Sequence, residues 1–306
     1  MRPGALLLLC LPALTAQTLF RTDVKLIDVS VSVRDSAGRL VTDLTQDDFD
    51  VTEDGAPQKI AFFARSQDVP LNLGLLADFS GSQDPFLKAH HKDLDAFLAG
   101  VLGPRDKTFL LCFGNHLRLA AEPTSSPEAI LAGLAAFEKG NHGFRELASE
   151  EDREGGTAFF DAIYNSVAEF LTKSDRGRKA LIAFSDGEDN SSAHNMMETL
   201  EMAQANDVVL YGVRYTDLKN GKWNAHNKYG TGVMARMAQD TGGADFDARK
   251  TEMATQFKLI GEQLRSAYEI AYASSNPDAD GLFRKISVQV KRPGLTVRAK
   301  TGYYAR

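Results

Sequence analysis

The chain has 306 residues, 43% of them hydrophobic and 25% charged, with a formal charge of −6. These figures are ordinary for a globular protein of one large or two smaller domains and exclude no fold. The acidic balance argues against sequence-independent nucleic-acid binding, which needs a basic face.

The opening residues, MRPGALLLLCLPALTAQT, carry a lone Arg2, an apolar core from Ala5 to Leu14 and small residues near Ala16, the plan of a secretory signal over 1–16. The run is shorter than the roughly 20 apolar residues of a stable membrane span. Export to a periplasm or the cell exterior is therefore expected. A lipoprotein anchor at Cys10 is the poorer reading, because Leu9 is bulky where such a site takes a small residue. Removal of the signal leaves Cys112 as the only cysteine and thus no intramolecular disulfide, which suits a bacterial envelope better than an animal matrix. Within FLLCF, Cys112 reads as a small buried hydrophobe.

In the N-terminal segment 17–67, Val29, Val31 and Val33 alternate with serines as in a strand with one wet face. Turns are expected at Asp35–Gly38 and Asp54–Gly55, with a further strand ending near Phe63. The C-terminal segment 266–306 has the same strand-and-turn pattern, with YEIAYAS, then Ile286, Val288 and Val290 in alternation, a Pro293-Gly294 turn, and LTVRAKTGYY. A unit of about forty residues is marginal alone. The two ends are expected to pack together as one small antiparallel β-sandwich, with residues 68–265 inserted between them.

Between them strands and helices alternate. Helices are expected over 86–102, 126–138 (capped by Ser125 or Ser126), 157–173, 194–206, 232–243 and 251–266, and strands over 71–77, 108–114, 179–185, 208–215 and 244–248. This is the pattern of an α/β protein with a doubly wound, mostly parallel sheet, Rossmann-like, carrying helices on both faces.

The strand LNLGLLA ends abruptly in Asp78, Ser80 and Ser82, with Gly81 easing the turn. Alternate residues of such a loop can turn one carboxylate and two hydroxyls into a crevice at the carboxyl edge. These are hard oxygen donors of the kind Mg²⁺ prefers, but too few for an octahedral shell. Thr157, expected in the first turn of a helix after Gly155-Gly156, and Asp186, after the strand ALIAFS, are placed to add to them.

The Asp-x-Ser-x-Ser loop, the Thr after glycines and the Asp-Gly after a second strand together resemble the von Willebrand factor type A (VWA) domain. In that family the residues matching Asp78, Ser80, Ser82, Thr157 and Asp186 form a metal-ion-dependent adhesion site (MIDAS) for Mg²⁺ or Mn²⁺. The resemblance implies that the fifth ligand, Asp186, often acts through water and that the open position accepts an acidic side chain of a partner protein. The flanks, VSVRDSAGRLVTDLTQDDFDVTEDGAPQKIAFF and DGLFRKISVQVKRPGLTVRAKTGYYA, resemble the ends of the VWFA-related domain family described from Acidobacteria. That family brings architecture and no settled activity.

Competing readings concern the same edge. Glu188, Asp189 and Asn190 could favour Ca²⁺, but a solvated acidic rim or helix start explains them better. His90 and His91, adjacent on a helix, are expected at the surface and share no metal. His116, His142, His194 and His226 have no zinc spacing. Loops 140–154 and 215–228 could rise above the edge, the second carrying Trp223 as a contact anchor or a packed residue. A metal-assisted hydrolase of the bacterial envelope is the alternative to a binding module, with Glu188 as the one nearby base. A serine hydrolase lacks its Gly-x-Ser-x-Gly elbow, since the local sequence is DFSGSQ. Oligomeric state is not legible in the sequence.

Overall fold

The structure, a computed structural model, describes residues 26–66, 69–140, 143–147, 155–173, 177–216 and 222–306. The expected signal segment with Cys10, and parts of loops 140–154 and 215–228, lie outside the described residues.

The N-terminal segment forms β1 (Leu26–Arg34), β2 (Phe49–Glu53), β3 (Ala56–Gln58) and β4 (Ile60–Ser66). The Asp54-Gly55 turn joins β2 to β3, with both residues at positive φ (49° and 84°), where Gly is at ease and Asp is tolerated.

The central domain follows as β5 (Leu71–Asp78), α1 (Leu87–Val101), β6 (Lys107–Phe113), β7 (Leu117–Thr124), α2 (Pro127–Glu138), β8 (Arg145–Glu146), α3 (Phe159–Ser166), β9 (Arg178–Ser185), α4 (Met196–Ala205), β10 (Val208–Arg214), α5 (Ala225–Asp240), β11 (Ala244–Asp247) and α6 (Met253–Arg265). Its strands make one sheet in the order β11-β10-β9-β5-β6-β7-β8. The first five in that order are parallel, whereas β7 and β8 add antiparallel to the β6 side. β7 falls where the sequence pattern predicts no strand. Its short LRLAAEPT run has little alternation and contains a proline, which an outer strand of a sheet tolerates.

Side chains alternate across the sheet and bury both faces. Leu73, Leu75 and Ala77 of β5 pack under α1, α2 and α6 through Leu94, Phe97, Leu134 and Phe257. Leu76, Leu111 and Phe113 meet α3, α4 and α5 through Phe159, Ile163, Ala203 and Met237 on the other face. Caps set the helix starts: Ser126 accepts from Ala129 N at 3.2 Å, and Asn195 and Asn224 each take part in a capping box. Asn224 thereby starts α5 at Ala225, earlier than the expected 232, and Trp223 stands just before it, 40% exposed. Beyond α3 the chain makes a π-helical turn over Val167–Leu171.

The C-terminal segment forms β12 (Ala267–Ala273), β13 (Phe283–Val290), β14 (Thr296–Arg298) and β15 (Gly302–Tyr304). These strands interleave with the N-terminal ones in two four-stranded antiparallel sheets, β14-β1-β12-β4 and β15-β13-β2-β3. Val29, Val31, Val33, Phe49, Val51, Ile270 and Ile286 form the core between them. Glu53, 3% exposed, is held there by the hydroxyls of Tyr272 at 2.7 Å and Tyr303 at 3.1 Å. The last residue of β4 and the first of β12 are partners in register, Ser66 with Ala267, so the chain enters and leaves the central domain at one place.

Candidate metal centre

From β5 the chain crosses through α1 to β6 on one side; after β7, α2, β8 and α3 it returns to β9 on the other. The crevice between the carboxyl ends of β5 and β9 is thus the switch point of the sheet, where doubly wound folds bind ligands. Asp78 is the last residue of β5, Ser185 the last of β9, and Asp186 comes next.

Asp78 has no exposed surface. Its Oδ1 accepts from Ser80 N at 2.8 Å and its Oδ2 from Ser185 Oγ at 2.6 Å. Asp186, 4% exposed, accepts at Oδ1 from Glu188 N at 3.0 Å and at Oδ2 from Ser82 Oγ and Gln83 Nε2, both at 2.7 Å. Ser80 Oγ and Ser82 Oγ are 3.2 Å apart. Four of the five residues expected from the sequence are therefore joined in one hydrogen-bonded chain.

Thr157 arrives differently. It is buried two residues before α3 rather than in its first turn, and its peptide group is pinned to the loop that follows Asp186. Thr157 N donates to Asn190 Oδ1 at 2.7 Å, while Asn190 N and Ser191 N donate to Thr157 O at 3.1 and 3.2 Å. Gly156 makes that approach possible. A Cβ there would lie 2.4 Å from Asn190 Oδ1, and its φ of 101° suits glycine alone.

Burial, and then the neighbouring Asp186, push the Asp78 carboxyl up to about 7. Among the described residues neither acid forms an ion pair with Lys, Arg or His. His90 lies on the same edge, its ring 4.3 Å from that of Tyr215, whose carbonyl accepts from Gln83 Nε2 at 3.3 Å. Contrary to the surface position expected, His90 is 1% exposed, and neither ring nitrogen has a hydrogen-bond partner among the described residues. Burial lowers its imidazole to about 4, so it carries no positive charge at neutral pH.

The donor set fits a small hard divalent cation. An octahedral shell with Mg–O distances near 2.1 Å has edges of about 3.0 Å. The Ser80–Ser82 and Ser82–Asp186 oxygen separations of 3.2 and 2.7 Å bracket that length. Among the described residues no three His, Cys, Asp or Glu side chains gather as a metal cluster, so the set is one of hydroxyls with two acids.

The acidic loop after Asp186 is engaged in holding structure. Asp189 Oδ2 accepts from Phe160 N at 3.0 Å and from the Ser192 hydroxyl, and Asn190 is taken up by Thr157. Glu188 points toward His226, 3.9 Å away. Three residues of this edge are not singled out by the sequence pattern: Ser185, Gln83 and His90. For His90 a signal exists, because it precedes Leu94, Phe97, Leu98 and Val101 at helical spacing on the buried face of α1.

No family model and no curated protein matches the sequence. Among solved structures the chain is similar to an aerotolerance-related membrane protein of Bacteroides fragilis, at 14% identity over 63% of this chain and 98% of that one, with a TM-score of 0.46. It is also similar to proximal thread matrix protein 1 of the mussel byssus, described with a zinc-occupied MIDAS motif, at 14% identity over 69% of this chain and 49% of that one, TM-score 0.46. A third is the manganese-loaded TRAP protein of Plasmodium vivax, at 15% identity over 82% and 98%, TM-score 0.44.

Proposed function

We propose that this chain is an exported, metal-dependent protein-binding module, a VWA domain set in the two-part sandwich of the VWFA-related family. The observation that carries this reading is the pair of buried acids, Asp78 and Asp186, joined through Ser80 and Ser82 and, among the described residues, without an ion pair to a Lys, Arg or His. Ser80, Ser82 and Thr157 hold Mg²⁺ or Mn²⁺ through hydroxyl oxygens, and Asp78 and Asp186 do so directly or through water. The bound ion supplies an open position for a carboxylate of a partner protein. The chain's own part is to orient: Ser185 holds Asp78, Gln83 holds Asp186, and Asn190 fixes the approach of Thr157. Binding is favoured over hydrolysis because, among the described residues, neither His90 nor Glu188 is placed as a base. His90 is shut away from the crevice's solvent, and Glu188 faces His226.

The test is calorimetric titration of the chelator-stripped full chain with Mg²⁺, Mn²⁺ and Ca²⁺, beside Asp78→Ala. Saturable Mg²⁺ or Mn²⁺ binding that the variant loses is expected. Equal binding by the variant, or Ca²⁺ binding indifferent to it, overturns the assignment. A partner is then sought by capture from envelope extract with and without chelator, Asp78→Ala being the control.

A further inference from the structure

A second site opens at the opposite, amino edge of the central sheet, against the C-terminal end of α3. A cavity of about 590 Å³ lies there, within the size range of small-molecule pockets. Its wall is aromatic. Gly74 leaves the middle of β5 bare, and the Phe109 ring lies against it: a Cβ at Gly74 would sit 2.4 Å from that ring. Phe170 packs on Phe109 with ring centroids 4.5 Å apart and planes at 33°. Phe170 reaches it from the π-helical turn after α3, a distortion that recurs at functional sites. The Arg145 guanidinium, 5.5 Å from the Phe170 centroid, braces that ring from outside the cavity lining.

The rim is cationic. Arg105, Lys107 and Lys173 line the cavity with the Asn72 amide, and no acid lines it among the described residues. Lys107 and Phe109 are two apart on β6 and so share a face. Lys173 follows the last turn of its helix, where a cation also answers exposed carbonyls, but Lys107 stands on a strand and has no such role. Neither lysine forms an ion pair among the described residues. Two lysines lining one cavity without an ion pair among the described residues contrast with a chain of net charge −6.

We propose that this cavity binds a small amphipathic anion, a flat apolar body bearing a carboxylate or phosphate. The body lies against Phe170, which is backed by Phe109, while Lys107 and Lys173 hold the head. This site needs no metal and is independent of the function proposed above.

The experiment titrates the full chain, in chelator so that the carboxyl edge takes no part, with 2-naphthoate, 2-naphthyl phosphate, the neutral 2-naphthalenemethanol and inorganic phosphate. At least one aryl anion is expected to bind about tenfold or more tighter than the neutral alcohol and than phosphate alone. The order of naphthoate and naphthyl phosphate identifies the head group. Both lysines are exposed, so Lys107→Glu with Lys173→Glu is expected to keep the thermal midpoint and weaken the aryl anion by more than about tenfold. Failure of both aryl anions to bind, equal binding of the alcohol, or undiminished binding by the folded double variant overturns the proposal.

Discussion

Asp106, at the amino edge of the central sheet, and Asp78, at its carboxyl edge, are both buried acids, and their surroundings differ in one respect. Asp106 accepts from Leu71 N at 2.8 Å and Gly103 N at 2.6 Å, and it also pairs with the guanidinium of Arg265 at 2.5 Å. Arg265 in turn donates to Val101 O at 2.6 Å, so one ion pair fastens β5, α1 and α6 where the chain enters and leaves the domain. Asp78 has comparable hydrogen bonds but, among the described residues, no guanidinium, and the neighbouring acid is Asp186. A buried carboxylate with a fixed counter-cation is part of the scaffold. One surrounded by hydroxyls and a second acid lacks that counter-charge among the described residues, and a proton or the proposed cation would supply it.

The contrast is broken most severely by Asp106→Ala, which leaves Arg265 without its acid and two amides without an acceptor. A loss of about 3–5 kcal/mol is expected in urea unfolding, with or without Mg²⁺. The neutrality of His90 comes next. Its folded value near 4 lies below the ordinary 6.5, so between those values the unfolded chain holds the extra proton. The stability it contributes is complete above pH 6.5 and falls by about 3 kcal/mol as the pH drops toward 4. His90→Phe is expected to flatten that slope in unfolding curves taken across the interval; an unchanged slope assigns the loss to other groups.

Asp78→Asn sharpens the comparison, because the same kind of change has the opposite sign at this edge. In chelator it is expected to stabilise the protein by about 1–2 kcal/mol, since an unbalanced charge leaves the interior. Saturating Mg²⁺, at about a hundred times its dissociation constant, is expected to add about 2.7 kcal/mol to the parent and nothing to the variant. The smallest effect is expected of Gln83→Leu, which removes a donor to Asp186 and also a buried oxygen without a partner among the described residues. Stability is expected to move by less than about 1 kcal/mol, while Mg²⁺ affinity falls about tenfold as Asp186 loses its orientation. An unaltered affinity removes Gln83 from the centre.

The carboxyl edge is legible in the sequence because long apolar runs stop at acids: β5 at Asp78 and β9 just before Asp186. Alternation likewise announces β1 and β13, and the mixing of their segments in one sandwich follows from units too short to stand alone. What stays hidden depends on distant parts of the chain. Gln83 reaches Asp186 across 103 residues, and Ser185 reaches Asp78 across 107. Asp106 gains its partner only when α6 brings Arg265 to it, from 159 residues away. The cavity at the amino edge is lined from β5 by Asn72, from β6 by Lys107 and Phe109, and by Phe170 from a widened helical turn much later in the chain, none of which signals the others.

The pairing of Ser66 with Ala267 has a mechanical consequence. Both strands that tether the central domain leave it side by side, at the edge away from the crevice of Asp78 and Asp186. Tension on the domain therefore draws β4 and β12 the same way, and β12 slides along β1, to which it is registered from Leu26–Ala273 to Val31–Tyr268. The hydrogen bonds between those strands lie across the direction of pull and resist it together in shear, where a zipper would yield them one at a time. The central domain is thus anchored at its amino edge in the orientation in which a sheet is hardest to tear.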